Sequence, residues 1–184
     1  MLRSRLIPAL AVTAALVLSG CSGVGSDLGV AVDDREFSVA ELQEATSQLN
    51  AASAQVGAPQ QVGGPQQVVA DLALLPVLEG IFAGSPAEVS DAQVRSFLTA
   101  NGVPDPGVAT IAAARSRQYQ VALGDPATFE DPAMAEVLAR AQSVTTEDLA
   151  QVDVEVNPRY GAWDVNNGGV VPEVPAWIQS STDS

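Results

Sequence analysis

The residues able to do acid–base or nucleophilic chemistry are few in this chain of 184 residues. It contains no histidine and a single cysteine, which excludes Ser-His and Cys-His catalytic pairs and the usual zinc sites. Adjacent carboxylates occur at Asp33-Asp34, Glu130-Asp131 and Glu147-Asp148. The first pair lies in a predicted turn, and the others lie at predicted helix starts, where negative charge is favoured without any catalytic role. We therefore predict no enzyme activity, no metal site and no cofactor.

The cysteine lies directly behind an N-terminal export signal. A basic start precedes an apolar run over residues 6–18, which is shorter than the roughly 20 residues that span a bilayer. Leu18-Ser19-Gly20-Cys21 then matches the bacterial lipobox, in which the cysteine is alkylated by a diacylglyceryl group and the signal is cleaved in front of it. We predict a signal peptide over 1–20 and a lipidated tether over 21–27. The mature protein is then expected on the extracytoplasmic face of the cell membrane, held by its lipid anchor.

The charge of the chain is strongly acidic. Eight arginines and no lysine stand against 22 aspartates and glutamates, and loss of the two arginines in the signal leaves a mature charge of −16. Phosphate contacts require clustered positive charge, so we exclude nucleic acid as a partner. Direct adhesion to anionic lipid headgroups is disfavoured for the same reason.

Residues 28–172 have the pattern of one mainly helical domain. A strand over Leu28 to Val32 and a turn should lead at once into a helix, which Ser38 and Glu41 begin with a capping box. Phe97 is expected on the inner face of the third helix. The helices are predicted from Ser38 to Gln55, from Val68 to Phe82, from Ser90 to Asn101, from Asp105 to Leu123 and from Asp131 to Gln142, with a last turn at 145–148.

Glycine and proline mark two interruptions of the helical pattern. Residues 57–67 are low in complexity and rich in glycine, proline and glutamine, which predicts a surface loop. Pro76 lies inside the second helix and is expected to kink or break it.

Beyond residue 150 the helical period gives way to alternation. Val152, Val154 and Val156 alternate with polar residues, which predicts a half-buried strand. Asp164 to Gly168 superficially resembles a calcium loop, but its glycine is one place early and no glutamate closes it, so we interpret it as a turn. The predicted fold class is mainly α, a bundle of about five helices with a small antiparallel sheet joining the first and last segments. Residues 173–184 are expected to form a tail.

The large aromatic residues near the end of the chain have two interpretations. Tyr160, Trp163 and Trp177 could form a binding surface for peptide or glycan. Alternatively, Tyr160 and Trp163 could cover the sheet against the bundle. We favour the second interpretation for these two, while Trp177 fits either.

Two segments resemble SurA-type N-terminal domains. Residues 30–42 are similar to the entry strand and capped first helix of those domains, and residues 152–164 resemble the closing segment of SurA-like lipoproteins from high-GC Gram-positive bacteria. Residues 89–94 also fit the third helix of that family. The most specific residues are Asn157, Pro158, Arg159, Tyr160 and Gly161, followed by Trp163, and we interpret them as structural.

The resemblance implies an extracytoplasmic, chaperone-like helical domain, in which the first and last strands pair and unfolded exported polypeptide is held in an apolar groove. It implies no isomerase activity, because too few residues follow Trp163 for a parvulin domain and the active-site histidines have no counterpart. The leading hypothesis is thus a membrane-anchored lipoprotein that binds unfolded or exported polypeptides without catalysis. The alternative is a structural or scaffolding envelope lipoprotein that docks one folded partner, and a hydrolase working through carboxylates alone is the least supported.

Overall fold

The computed structural model describes residues 27–56 and 63–173. The predicted signal, lipobox and most of the tether lie outside the described residues, as do residues 57–62 and nearly all of the predicted tail with Trp177.

The described chain folds into seven α-helices, one 3-10 turn and two small antiparallel sheets, so the predicted mainly α fold class is confirmed. In chain order the elements are β1 Leu28–Val32, β2 Arg35–Ser38, α1 Val39–Gln55, α2 Pro65–Phe82, α3 Asp91–Ala100, α4 Val108–Gly124, α5 Pro126–Glu130, the 3-10 turn Pro132–Met134, α6 Ala135–Ser143, α7 Thr146–Ala150, β3 Val154–Val156, β4 Ala162–Asp164 and β5 Gly169–Val171.

The first and last segments of the domain meet in a three-stranded sheet, as predicted. Strand β1 is central, and its Ala31 lies opposite Glu36 of β2 and Glu155 of β3, antiparallel in both cases. The expectation that the turn leads directly into a helix was wrong, because the two-residue turn at Asp33 and Asp34 closes a hairpin and β2 comes first. Asp33 adopts φ 52°, the left-handed conformation that such turns require.

Helix α2 lies at the centre of the core. Ten of its 18 residues are buried, and it packs against α4, α1, α6 and β5. Phe82 stacks on Tyr119 of α4, with ring centroids 4.3 Å apart. The helix continues through Pro76 without a break, while the other expectation, a kink at Pro76, stays a prediction. Packing on several sides supplies the stability that the missing backbone hydrogen bond removes.

The start of α4 was predicted too early, at Asp105. The side chain of Gln48 in α1 holds the residues before α4 in a non-helical path, because its Nε2 donates to the Asp105 carbonyl at 3.2 Å. Its Oε1 accepts from the Gly107 N–H at 3.2 Å and from Thr110 Oγ1 at 2.6 Å. Gln48 thus caps α4 from a neighbouring helix, and α4 begins at Val108.

Two further regions differ from the sequence prediction. Pro65 already occupies the first turn of α2, so the loop predicted to reach residue 67 ends before it. Asp125 and Asp131 each accept a hydrogen bond from the backbone N–H two residues on, at 2.9 Å. These two caps divide the region into α5, the 3-10 turn and α6, where one helix from Asp131 to Gln142 was expected.

Candidate functional site

An open apolar groove of about 540 Å³ lies between the C-terminal part of α1, helix α3 and the second half of α4, with α5 at one end. Its volume falls within the roughly 300–1,000 Å³ that is typical of ligand pockets. The residues that define it include Leu49, Val56, Phe97, Leu98, Val121 and Asp125.

The walls of the groove carry large apolar side chains that face solvent. Val56, Phe97 and Val121 are 53%, 46% and 70% exposed, whereas Leu49 and Leu98 beneath them are buried. The prediction that Phe97 lies on the inner face of α3 was therefore wrong. Val94 and Leu98, one turn apart, fill that face, and Phe97 falls at its edge. Clustered exposed apolar residues of this kind are typical of sites where a ligand or partner removes them from water.

An ion pair between a partly exposed arginine and a buried carboxylate lies beside this groove. Arg117, which lines it, donates from Nε to Oδ2 of Asp71 in α2 at 2.5 Å. The other carboxylate oxygen accepts hydrogen bonds from Gln67 at 3.2 Å and Gln120 at 3.3 Å. Burial raises the pKa of the Asp71 carboxyl above its ordinary 3.8, although Arg117 and the two glutamines act in the opposite direction. The pair holds α2 against α4 behind the apolar wall.

The arrangement can bind an apolar group, because most of the described residues that line it are apolar. The charged side chains of the lining are Arg117, which is paired with Asp71, and Asp125, which caps α5. Binding would be driven by removal of apolar surface from water, at about 25 cal/mol per Å².

The residues singled out by the sequence lie elsewhere, in the turn that joins β3 to β4. Asn157 donates from its side chain to the Leu28 carbonyl at 2.6 Å, and from its backbone to the Gly29 carbonyl at 3.0 Å. Its Oδ1 accepts from the Arg159 N–H at 3.1 Å, and its carbonyl accepts from the Tyr160 N–H at 2.9 Å. Asn157 therefore both forms the turn and fastens the closing segment to β1.

The remaining residues of this segment shape the turn. Pro158 and Arg159 are exposed, and Pro158 occupies the second position of the turn, where its fixed φ is suited. Gly161 has φ 111°, and a Cβ there would lie 2.2 Å from the carbonyl oxygen of Val171 in β5. Only glycine allows this close approach of the two strands.

The two aromatic residues of the closing segment differ in burial. Tyr160 is 8% exposed and belongs to the hydrophobic core, and Trp163 in β4 is partly buried. The burial of Tyr160 agrees with its interpretation as a cover over the bundle, whereas that interpretation stays a prediction for Trp163. The Tyr160 hydroxyl and the Trp163 indole nitrogen are buried and have no hydrogen-bond partner in the structure.

The adjacent carboxylates have structural roles or lie on the surface. Asp33 accepts from the Asp153 N–H at 3.0 Å in the β1–β2 turn, and Asp148 forms a capping box with Thr145. Hydrogen bonds from Thr145 lower the pKa of Asp148. Glu130 and Asp131 are exposed at the end of α5.

The segment that resembles a calcium loop forms the turn between β4 and β5. The Asp164 carboxylate accepts from the Asn166 N–H at 2.9 Å and from the Asn167 side chain, and these bonds lower its pKa. In residues 27–56 and 63–173, no group of three or more acidic, cysteine or histidine side chains is placed to hold a metal ion.

No protein-family model, curated protein or solved structure matches this chain. The resemblance to SurA-type domains thus stays a prediction that depends on the quoted segments. Within the described ranges, no helix combines the length and the apolar character needed to cross a bilayer.

Sequence reasoning missed the groove residues for an identifiable reason. Val56 and Val121 lie near the C-terminal ends of their helices, and Phe97 lies beside a face that looks fully apolar in sequence. Helical periodicity reports which residues share a face, but not whether a neighbouring helix covers it. No local signal in the sequence marks Val121 as exposed, because it is followed directly by the apolar residues Ala122 and Leu123.

Proposed function

We propose that this protein is a lipoprotein, anchored through Cys21, that binds apolar segments of unfolded or exported polypeptides in the groove without catalysis. The observation that carries the proposal is the groove itself, where Val56, Phe97 and Val121 present apolar surface to solvent. The lipobox supports the location, and the resemblance to SurA-type segments supports the class of client.

The position of the groove relative to the tether agrees with this proposal. The tether enters the domain beside the first residue of α1, where the Val39 N–H donates to the Asp27 carbonyl at 2.7 Å. The groove lies at the other end of α1, around Ala52. At about 1.5 Å per residue, the two points are roughly 20 Å apart along the helix axis. An anchored domain can therefore keep the groove away from its attachment point.

The proposal is tested by aggregation of an unfolded client in the presence of the chain from Cys21 to Ser184, with Cys21→Ser to remove the lipidation site. We expect the protein to slow aggregation at stoichiometric amounts. Phe97→Ala should weaken peptide binding about tenfold, because burial of a phenylalanine contributes about 1.5–3 kcal/mol. Phe129→Ala is the matched control, since Phe129 is 60% exposed but does not line the groove.

Two results would contradict the proposal. One is the absence of any effect on aggregation at stoichiometric excess, and the other is an equal loss of binding in both phenylalanine variants. A photo-crosslinking residue at position 97 in intact cells separates the proposal from its alternative. Many exported clients support polypeptide binding, whereas one stoichiometric folded partner supports a scaffolding lipoprotein.

A further inference from the structure

We propose that the preferred occupant of the groove is an apolar polypeptide segment flanked by basic residues. This inference depends on the proposed function and adds the chemistry of the client. It follows from how the charges are distributed around the groove and over the rest of the domain.

The two charged side chains that line the groove, Arg117 and Asp125, differ in how far their charge is offset by a partner. Arg117 donates to Asp71 at 2.5 Å, and the Asp71 side chain is only 1% exposed, so the positive charge is offset by a buried negative one. Asp125 is exposed at one end of the groove, and in the described part of the chain no arginine forms an ion pair with it. The wall is therefore apolar with a net negative end.

The surface around α5 extends this negative end. Thr128 lines the groove, and two residues further along the chain Glu130 and Asp131 are both exposed. Three exposed carboxylates thus lie within seven residues of sequence, of which Asp125 lines the groove, whereas Glu130 and Asp131 line a separate surface pocket that includes Phe129. Charges of one sign around a low-dielectric cleft raise the local concentration of opposite charges.

Three arginines elsewhere in the domain are paired with carboxylates outside the groove, so their charges are already offset. Arg35 and Arg115 both pair with Glu79, and Arg115 also pairs with Asp91. Arg95 donates to the Pro106 carbonyl at 3.3 Å, a neutral acceptor that leaves its charge in place, and Arg159 is exposed in the turn between β3 and β4. Arg140 pairs with Glu136 and donates to the carbonyls of Ile81 and Ala83.

In the described residues, four carboxylates form these ion pairs: Asp71, Glu79, Asp91 and Glu136. The chain contains 22 acidic residues. The chain as a whole therefore keeps a strongly negative net charge of −14, which attracts basic groups to its surface. An anionic bilayer carries the same sign and is repelled. A polypeptide with an apolar centre and lysine or arginine at its ends fits both the apolar wall and the negative end of the groove. Long basic side chains can place their methylene groups on apolar surface while the charge stays in water.

The experiment measures binding of two synthetic peptides that share one apolar centre of leucine, valine and phenylalanine. One peptide carries three lysines at each end and the other carries three glutamates. At about 50 mM salt we expect the lysine peptide to bind the Cys21→Ser chain at least about tenfold more tightly than the glutamate peptide does. The two affinities should approach each other at about 0.5 M salt, where charges are screened within a few ångströms.

Two single-charge variants locate the effect. Asp125→Asn keeps the helix cap, since asparagine caps as well as aspartate does, and should reduce the preference for the lysine peptide about two- to threefold at low salt. Glu36→Gln removes the same charge from the exposed side of β2, at the sheet end of the domain, and should reduce it less.

The failure of this inference can be distinguished from failure of the proposed function. Equal binding of both peptides, with binding still lost in Phe97→Ala, would overturn the charge preference and leave the groove as a binding site. Absence of binding by both peptides would overturn both proposals. A dimer of the unliganded protein that Phe97→Ala dissociates would assign the groove to a second copy. A large gain in peptide affinity on truncation after Glu173 would assign it to the chain's own C-terminal residues. Either result would overturn the inference.

Discussion

The closing segment and the groove lie towards opposite ends of α1 and are built in contrasting ways. In the closing segment, Asn157 makes four hydrogen bonds within the turn and to β1, and Gly161 lets two strands approach closely. In the groove, Phe97 and Val121 contribute apolar surface that remains in water. Directional bonds fix one conformation, whereas exposed apolar surface stabilises little until a ligand covers it. Conspicuous sequence motifs can therefore mark the part of a molecule that holds it together, while a binding surface is formed by inconspicuous residues.

The largest effect on stability is expected for Gly161→Ala. The added Cβ would lie 2.2 Å from a backbone oxygen, at a φ of 111° that alanine rarely adopts. We expect a loss of about 3 kcal/mol or more in the free energy of unfolding, measured by urea denaturation. Gly124→Ala, where a Cβ meets nothing within 4 Å, is the control. Equal stability of the two variants would show that the closing segment is not tightly constrained.

Arg117→Gln should be the next most destabilising change, because it leaves the Asp71 carboxylate buried without its cation. Loss of one partner of a buried pair costs about 3–5 kcal/mol, and we expect about 3 kcal/mol at pH 7. The double variant with Asp71→Asn should recover part of this loss. A double variant less stable than Arg117→Gln would mean that the ion pair is not the origin of the effect.

The pH dependence of the same variant tests the pKa of Asp71, which burial raises above 3.8. Between 3.8 and the raised value, the folded state binds the proton more tightly than the unfolded state, so the stability contribution of Asp71 falls as pH rises. Removal of Arg117 raises this pKa further. The deficit of Arg117→Gln should therefore be largest at neutral pH and shrink as the pH falls towards 4. A deficit independent of pH would contradict this account.

Asn157→Ala should have an intermediate effect. It removes the side-chain bond to the Leu28 carbonyl at 2.6 Å and the bond that orders the turn at Arg159. We expect a loss of about 1–3 kcal/mol, together with faster amide exchange in β1 and β3. Asn166→Ala, in the exposed β4–β5 turn, should cost less. A larger loss of stability in Asn166→Ala than in Asn157→Ala would contradict the role of Asn157 in holding the closing segment on β1.

The smallest stability effect is expected for Phe97→Ala, because the side chain is 46% exposed. Its free energy of unfolding should stay within about 0.5 kcal/mol of the parent protein, although peptide binding weakens. A loss of several kcal/mol would place Phe97 in the core and remove the contrast between the two regions.

Local signals in the sequence predicted much of the fold. The capping boxes at Ser38 and Ser90 are both present, with Glu41 and Gln93 as their partners. The alternating valines pair with β1 through Val154 and Val156. These signals succeed because each depends on residues within a few positions of one another.

The features that the sequence did not predict depend on contacts between distant residues. Gln48 delays the start of α4 across 59 positions of sequence, and α2 continues through Pro76 because it is packed on several sides. The exposure of Phe97 likewise depends on where α1 and α4 end relative to α3. None of these long-range contacts produces a periodic pattern of apolar residues in the sequence.

The register of the three-stranded sheet also has a kinetic consequence. Val30 lies opposite Val156, so the central strand is completed by a segment more than 100 residues later in the chain. Closing so long a loop is slow compared with helix formation. During synthesis β1 is made long before β3. Its second edge stays unpaired until almost the whole domain has been made, which makes completion of the sheet a late step of folding.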